Sequence, residues 1–358
     1  MEVVSDRDRR AAEHADAEAA MADAVAGAML VDPTGAGTHR EVGGPPPTDG
    51  LAVRAPSGVL SYDPADLTVT VAAGTTVGEL DAALAPHGQE CVLDPVDDAA
   101  TIGGTIAVGL SGLRRLRVGP IRDQVLEVRF VTGDGRLVRG GGPTVKNVTG
   151  YDLPRLLVGS FGTLGVLTRV VLRCRPRPRH AQWFRSTGNP DVALARCLRP
   201  SSVLWDGTVT RVLLEGHPGD IEAESARAGL EPDRAPEHPA GAHRGRISVR
   251  PGEVAAVGRR LGGLDGVVWI AEAGVGTVHV AAGEASALTA CREAAHDAGG
   301  WMLREAGAPG LDGFGRPLPN PDLAGRVHRA FDPTGKLAPG RIPLPQVEVE
   351  AEPGGPPR

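Results

Sequence analysis

"TVKNVTGYDLPRLLVGSFGTLGVLTRVVL", residues 144–172, decides how this chain is read. The stretch is largely apolar, yet glycines stand at positions 150, 159, 162 and 165. Glycine inside a core element weakens it, since it packs nothing and loses the most backbone freedom on folding. Bare backbone at Gly159, Gly162 and Gly165 therefore implies that something approaches the main chain closely. Asp152 is placed to cap a short helix "LPRLLV", and "GSFGTLG" then leads into the strand "VLTRVVLR".

Two more Gly-rich segments lie upstream. In "DPTGAGTHREVGG" (32–44), Gly35 and Gly37 leave backbone N–H groups uncovered and Thr38 adds a hydroxyl. Such a nest suits a pyrophosphate, although the same composition also makes an ordinary turn. In "LDPVDDAATIGGTIAVGLSG" (93–112), Thr101 is an N-cap for a helix opening at Ile102-Gly103-Gly104. That helix start would turn free N–H groups and a positive dipole end toward an anion; the alternative is a Gly-flanked core helix. No G-x-G-x-x-G follows a strand and no G-K-[ST] is present, so neither Rossmann nor P-loop nucleotide binding fits.

The chain has 358 residues and a net charge of -6, which argues against general nucleic-acid binding. Gly 50 and Pro 31 predict a folded but loop-rich protein. Of 38 basic residues only Lys146 and Lys336 are lysines, a compositional bias rather than a binding surface. Cys91, Cys174, Cys197 and Cys291 form no C-x-x-C pair, so no zinc or iron–sulfur site is spelled out and redox chemistry would need an organic cofactor. The N-terminus is charged and no 18-residue apolar run follows, which predicts a cytoplasmic protein without a transmembrane segment.

An Ala-rich helix is expected over 8–28, then a short strand "AMLV". "LTVTVAAGTTVGELDAALAPHG" (67–88) changes from strand to helix period with a Thr76/Glu79 capping box, and "DQVLEVRFVTGDGRLVRGG" (123–141) reads as a hairpin turning at Gly133-Asp134-Gly135. Periodicity fades between Pro176 and about Pro200, a domain boundary. An α+β region follows to about 345, with a mobile loop over 230–245. No internal repeat is visible.

Together, "ATIGGTIAVGLSGLRRLRVGPIRDQVLEVRFVTGDGRLV" and "TVKNVTGYDLPRLLVGSFGTLGVLTRV" resemble the FAD-binding domain of the vanillyl-alcohol oxidase and para-cresol methylhydroxylase (PCMH) superfamily. Within it they are most similar to the FAD-binding subunits of bacterial glycolate oxidases. "FDPTGKLAPGRIP" (331–343) is similar to the closing motif of that group, with Ala338 where asparagine is usual. The resemblance implies an α+β fold: an N-terminal helical segment (1–29), a PCMH-type FAD-binding domain of two α+β subdomains (30–178), a smaller α+β cap (179–345) and a disordered tail (346–358). It further implies FAD contacts at Gly35, Gly37, Thr38, Asp94, Pro95, Thr101, Ile102, Gly103, Gly104, Thr105, Gly112, Gly159, Gly162, Thr163, Gly165 and Val166. Covalent members carry histidine where Gly37 stands, and His39 lies two positions later, so the expected FAD is non-covalent.

Hydroxy-acid-oxidising relatives carry H-x-G-D-G-N-x-H in the cap. The counterpart here is "EAGVGTVH" (272–279), which keeps only His279, and a lone histidine there also reads as a core or surface residue. Tyr151 and Asp152 read as a packed aromatic and an N-cap, Lys146 and Asn147 as fixing the backbone before the same helix, and no catalytic base is assigned. The resemblance thus implies an FAD-binding subunit acting on a small hydroxy acid beside a catalytic flavoprotein and an iron–sulfur subunit. A free-standing FAD-dependent dehydrogenase and a non-catalytic FAD-dependent scaffold are the alternatives.

Overall fold

The computed structural model describes residues 6–142 and 151–344. Lys146, Asn147 and the tail expected from 346 lie outside the described residues. α1 (Asp6–Gly27) opens the chain, and β1 (Val31–Pro33) pairs in parallel with β2 (Leu51–Val53). The strand expected at "AMLV" thus begins only at its last residue. β3 (Val59–Asp63), β4 (Thr68–Ala72), β5 (Gln89–Glu90), β6 (Val125–Val131), β7 (Leu137–Gly141), β8 (Val166–Arg173) and β9 (Arg175–Pro176) follow. An antiparallel five-stranded sheet has the order β3-β4-β8-β6-β7, and β5 pairs with β9 apart from it. Between the strands lie α2 (Val77–Leu84), α3 (Ile102–Val108), α4 (Arg115–Val118) and α5 (Leu153–Leu157). α2 starts with the Thr76/Glu79 capping box, and the hairpin between β6 and β7 turns at the expected glycines.

The apolar run of β8 does not alternate, for a local reason. A bulge leaves Thr168 without a register partner in β6, since Arg169 stands opposite Arg129 but Leu167 opposite Phe130. Val166 then packs with Met21 and Val25 of α1, while Leu167 and Val170 join the main core with Ile102 and Ile106 of α3. A strand covered on both faces reads as continuously apolar.

The second region is built from β10 (His180–Thr187), α6 (Pro190–Arg196), β11 (Ser202–Trp205), β12 (Val209–Gly216), α7 (Pro218–Ala228), β13 (Glu231–Asp233), β14 (His243–Ser248), α8 (Val254–Leu261), β15 (Val267–Glu272), β16 (Thr277–Ala282), α9 (Ala285–Asp297) and β17 (Trp301–Ala306). Its sheet has eight strands in the order β13-β10-β12-β11-β15-β16-β14-β17. The first four strands and the last four each make a β-α-β-β-α-β unit of the ferredoxin-like kind, and the two join edge to edge through β11 and β15. The region is therefore an internal duplication, although the sequence shows no repeat, and the cap expected to be the smaller unit carries the larger sheet. The segment expected as a mobile loop supplies β13 and the start of β14, and β10 and α6 occupy the stretch where periodicity fades. α10 (Pro321–Phe331) then returns the chain to the first domain, where Phe331 packs on Phe130 and Leu337 bridges Val31.

Two ionic knots hold these parts. Arg114 bonds Glu90 and Asp94 of the first domain and Glu215 of the second, and Arg175 also reaches both glutamates. On α1, Glu18 is 1% exposed and accepts from Arg129 at 2.7 Å, Arg169 at 3.2 Å and the Thr168 hydroxyl at 2.7 Å. Burial pushes its carboxyl up, but His14, Thr168, Arg169 and Arg129 outweigh it and hold the pKa at about 2. Glu18→Ala should cost about 2–3 kcal/mol at neutral pH, below the full cost of breaking a buried pair because both arginines keep some access to water. A group with a depressed pKa contributes above its ordinary value and loses that contribution as pH falls through the folded one. The gap between wild type and variant in urea unfolding should therefore be constant above pH 4.5 and close as pH falls toward 2; a gap independent of acid pH would contradict the assignment.

Candidate functional site

A groove of about 350 Å³ opens between the loop after β1, the first turn of α3 and the start of β8. Its walls include Gly35, Gly37, Thr38, Thr101, Gly103, Gly104, Gly162, Gly165 and Val166 from the sequence-derived set. Asp94, Pro95, Ile102, Thr105, Gly112, Gly159 and Thr163 do not line it. Ile102 is fully buried in the core, and the hydroxyls of Thr105 and Thr163 turn inward onto the Thr101 and Ser160 carbonyls at 2.9 and 2.8 Å. Asp94 instead holds Arg114 at the domain junction, and Gly112 is bare because a Cβ there would sit 2.0 Å from the Asp94 Cβ.

The three glycines of the opening stretch have three different reasons. Gly159 takes φ +80 and has open space around an added Cβ, so its backbone conformation demands glycine. At Gly162 a positive φ of +78 combines with Pro33, 3.0 Å from an added Cβ. Gly165 makes room for Phe130, whose ring would lie 2.4 Å from such an atom. Close approach does occur, but at Gly162 and Gly165 the neighbours are this chain's own side chains.

The helix N-terminus also differs from expectation. The N–H groups of Ile102 and Gly103 donate to the carbonyls of Thr75 and Ala73, both at 2.8 Å. Gly104 N–H donates to Thr101 Oγ1 at 3.2 Å and Thr105 N–H to the Thr101 carbonyl at 2.9 Å. The first turn of α3 has no donor left for an anion. In the loop after β1, by contrast, the N–H groups of Gly35, Ala36, Gly37, Thr38 and His39 have no partner among the described residues. Five consecutive donors along one wall are the anion-binding feature of the groove. Gly35 packs on Thr101, Arg54 donates to the Gly35 carbonyl, and Arg40 pairs with Asp32 at 2.8 Å, which together hold the loop.

Sequence reasoning missed Arg341 and Phe161. Arg341 is 8% exposed, lines the groove, and donates to the carbonyls of Arg40 and Gly44 at 2.7 Å each. Burial lowers its pKa to about 10, so it remains a fixed cation at neutral pH. Phe161 meets Phe314 edge-on and lies under Arg341, a contact made only when the C-terminal segment folds back. Tyr151 is 92% exposed rather than packed, while Asp152 caps α5 through Arg155 N–H at 3.0 Å.

In the second domain, His279 Nε2 lies 2.7 Å from Glu272 Oε1, and both residues are buried. Arg246 stands opposite His279 in the β14–β16 ladder; it bonds Glu305 at 3.1 Å and donates to the Ser111 carbonyl of the first domain at 3.0 Å. His238 stacks edge-on against His279 at 4.6 Å, and burial followed by the field of His279 lowers its pKa to about 4, so it is neutral at physiological pH. His279 is therefore a paired core residue. Among the described residues no group of three His, Cys, Asp or Glu side chains is arranged to hold a metal ion.

Residues 8–141 match the family model described as FAD binding domain, and that segment is similar to PCMH-type FAD-binding domains. Glycolate oxidase subunit GlcE of Escherichia coli is 38% identical over 190 residues, covering 51% of this chain and 54% of that protein. D-lactate dehydrogenase of Archaeoglobus fulgidus is 38% identical over 146 residues, covering 40% of this chain and 33% of that protein. Glycolate oxidase subunit GlcD of Bacillus subtilis is 38% identical over 150 residues, or 41% and 32%. The matches thus span about half, or about a third, of these relatives' own lengths. An alkyldihydroxyacetonephosphate synthase structure shares the fold, with a TM-score of 0.65 at 14% identity over 91% of this chain and 74% of that one. No described helix is long and apolar enough to cross a membrane.

Proposed function

We propose that this chain is the FAD-holding subunit of a 2-hydroxy-acid dehydrogenase complex of the glycolate-oxidase kind, an oxidoreductase component that passes electrons from the hydroxy acid through flavin to a partner. The observation that carries this reading is the strip of unpartnered N–H groups from Gly35 to His39, which fits a pyrophosphate and leaves α3 as a structural wall. The strip and the Thr38 hydroxyl would hold the pyrophosphate, and the main chain at Gly162, Gly165 and Val166 would face the rest of the cofactor. Gly37 offers no side chain for a covalent link. Bound FAD would supply a two-electron acceptor.

The second domain supports a role inside a complex. Glu272 with His279 and Arg246 with Glu305 are paired within the chain, so these four groups are engaged with one another rather than free for a substrate carboxylate. The remaining catalytic groups would come from a catalytic flavoprotein, with an iron–sulfur subunit as the next electron carrier, in the cytoplasm. The closed pairs also favour a second reading, a scaffold that needs FAD only to fold its partners. Complex reconstituted with FAD-free chain separates the two: the dehydrogenase reading loses turnover, and the scaffold reading loses assembly.

Gly104→Leu tests the groove. An added Cβ meets only Thr101 Oγ1, at 3.0 Å, so the leucine side chain enters the groove, while replacing a helical glycine favours α3 by up to about 1 kcal/mol. The variant should keep or gain thermal stability without cofactor and lose bound flavin. Gly252→Leu, exposed and with nothing near an added Cβ, should bind normally. Equal flavin content in both would refute the site.

The isolated, FAD-loaded chain should oxidise glycolate or D-lactate with an artificial acceptor no faster than FAD-free chain does. His279→Ala should lower stability by about 1–3 kcal/mol, through the Glu272 carboxylate left buried, without changing that rate. Robust turnover abolished by His279→Ala would establish a free-standing dehydrogenase instead.

A further inference from the structure

We propose that Cys91 and Cys174 form a modification site, a dithiol that a peroxide converts reversibly into a disulfide at the point where the first domain hands over to the second. The two residues stand one step beyond the β5–β9 ladder, which sets Gln89 opposite Pro176 and Glu90 opposite Arg175. Continuing that register puts Cys91 directly opposite Cys174. Arg177 N–H donates to the Gly88 carbonyl, so the alternation of an antiparallel pair makes the cysteine position a non-hydrogen-bonded one. Cys174 N–H accordingly goes to Leu67 instead. Opposed residues at such a position have Cα atoms about 4.5 Å apart, within the roughly 4.4–6.8 Å that a disulfide spans. The sulfurs lie 3.6 Å apart, so side-chain rotation can close the bond without moving the strands.

The chemistry distinguishes this pair from the other thiols. Cys197 and Cys291 are buried without a cysteine neighbour, and burial raises their pKa values to about 11 and about 12. Within the pair, also buried, the two thiols are in hydrogen-bond contact, which lowers the Cys174 pKa and raises that of Cys91. Cys174 is thus the nucleophile: its thiolate attacks one peroxide oxygen, the O–O bond breaks, and one water leaves as a sulfenic acid forms. Cys91 then attacks that sulfur and a second water leaves. In sum two thiols and one hydrogen peroxide give one disulfide and two waters.

The location gives the bond a consequence. Glu90 and Arg175, the neighbours of the two cysteines, belong to the Arg114–Glu90–Glu215–Arg175 knot that ties the domains. A disulfide would fix the base of that knot by closing the loop from 91 to 174, which contains α3, the groove wall and most of the five-stranded sheet.

The test treats the folded full-length protein with hydrogen peroxide, removes the oxidant, denatures, and alkylates the remaining thiols. The alkylatable thiols should fall from four to two, with the intact mass lowered by two hydrogens, one peptide pair linked through Cys91 and Cys174, and full reversal by dithiothreitol. Cys91→Ser should form no disulfide under the same treatment. Four thiols left alkylatable, a disulfide joining any other pair, or oxygen atoms added to single cysteines would overturn the proposal.

Discussion

The groove depends on where the first turn of α3 sends its N–H groups. They are bonded to Thr75, Ala73 and Thr101, which welds the helix start to the end of β4 and to its own cap. Gly103 allows this, since a Cβ there would lie 3.0 Å from Ala73. A helix anchored so firmly is a wall rather than a ligand. The loop after β1 packs on that wall through Gly35 against Thr101, and there the backbone donors remain open. Ala36, Gly37 and Thr38 are exposed and Gly35 and His39 half-buried, so the open donors line the mouth of the groove, where an anion can reach them.

The positions of the glycines were legible in the sequence, but their causes were not. A bare position says that a side chain is unwelcome and does not say what excludes it. Phe130 excludes it at Gly165, Asp94 at Gly112 and Thr101 at Gly35, each far from its glycine in sequence. Features closed within a few residues could be read directly: the Thr76/Glu79 box, the Thr101 and Asp152 caps, and the hairpin at Gly133. Arg341 and Phe161 were missed because their meaning arises only when residues 331–343 fold back beside β1.

The duplicated second domain illustrates the same limit. Two β-α-β-β-α-β units share a strand order but bury different residues, Trp269 with Ile247 and Val257 in one cluster and Phe184 with Ile221 in another, so no residue pattern repeats. On the face toward the first domain Glu272 pairs with His279 and Arg246 with Glu305, and Arg246 donates a further bond to the Ser111 carbonyl. Buried polar groups arranged this way hold a domain in place, and leaving any one of them unpaired would be costly.

Amide hydrogen exchange with and without FAD tests the central claim most directly. The account predicts that Ile102 to Thr105 are already protected in the cofactor-free chain, whereas Gly35 to His39 exchange freely there and become protected when FAD is added. Unchanged exchange across Gly35 to His39, with protection gained instead at the start of α3, would contradict it.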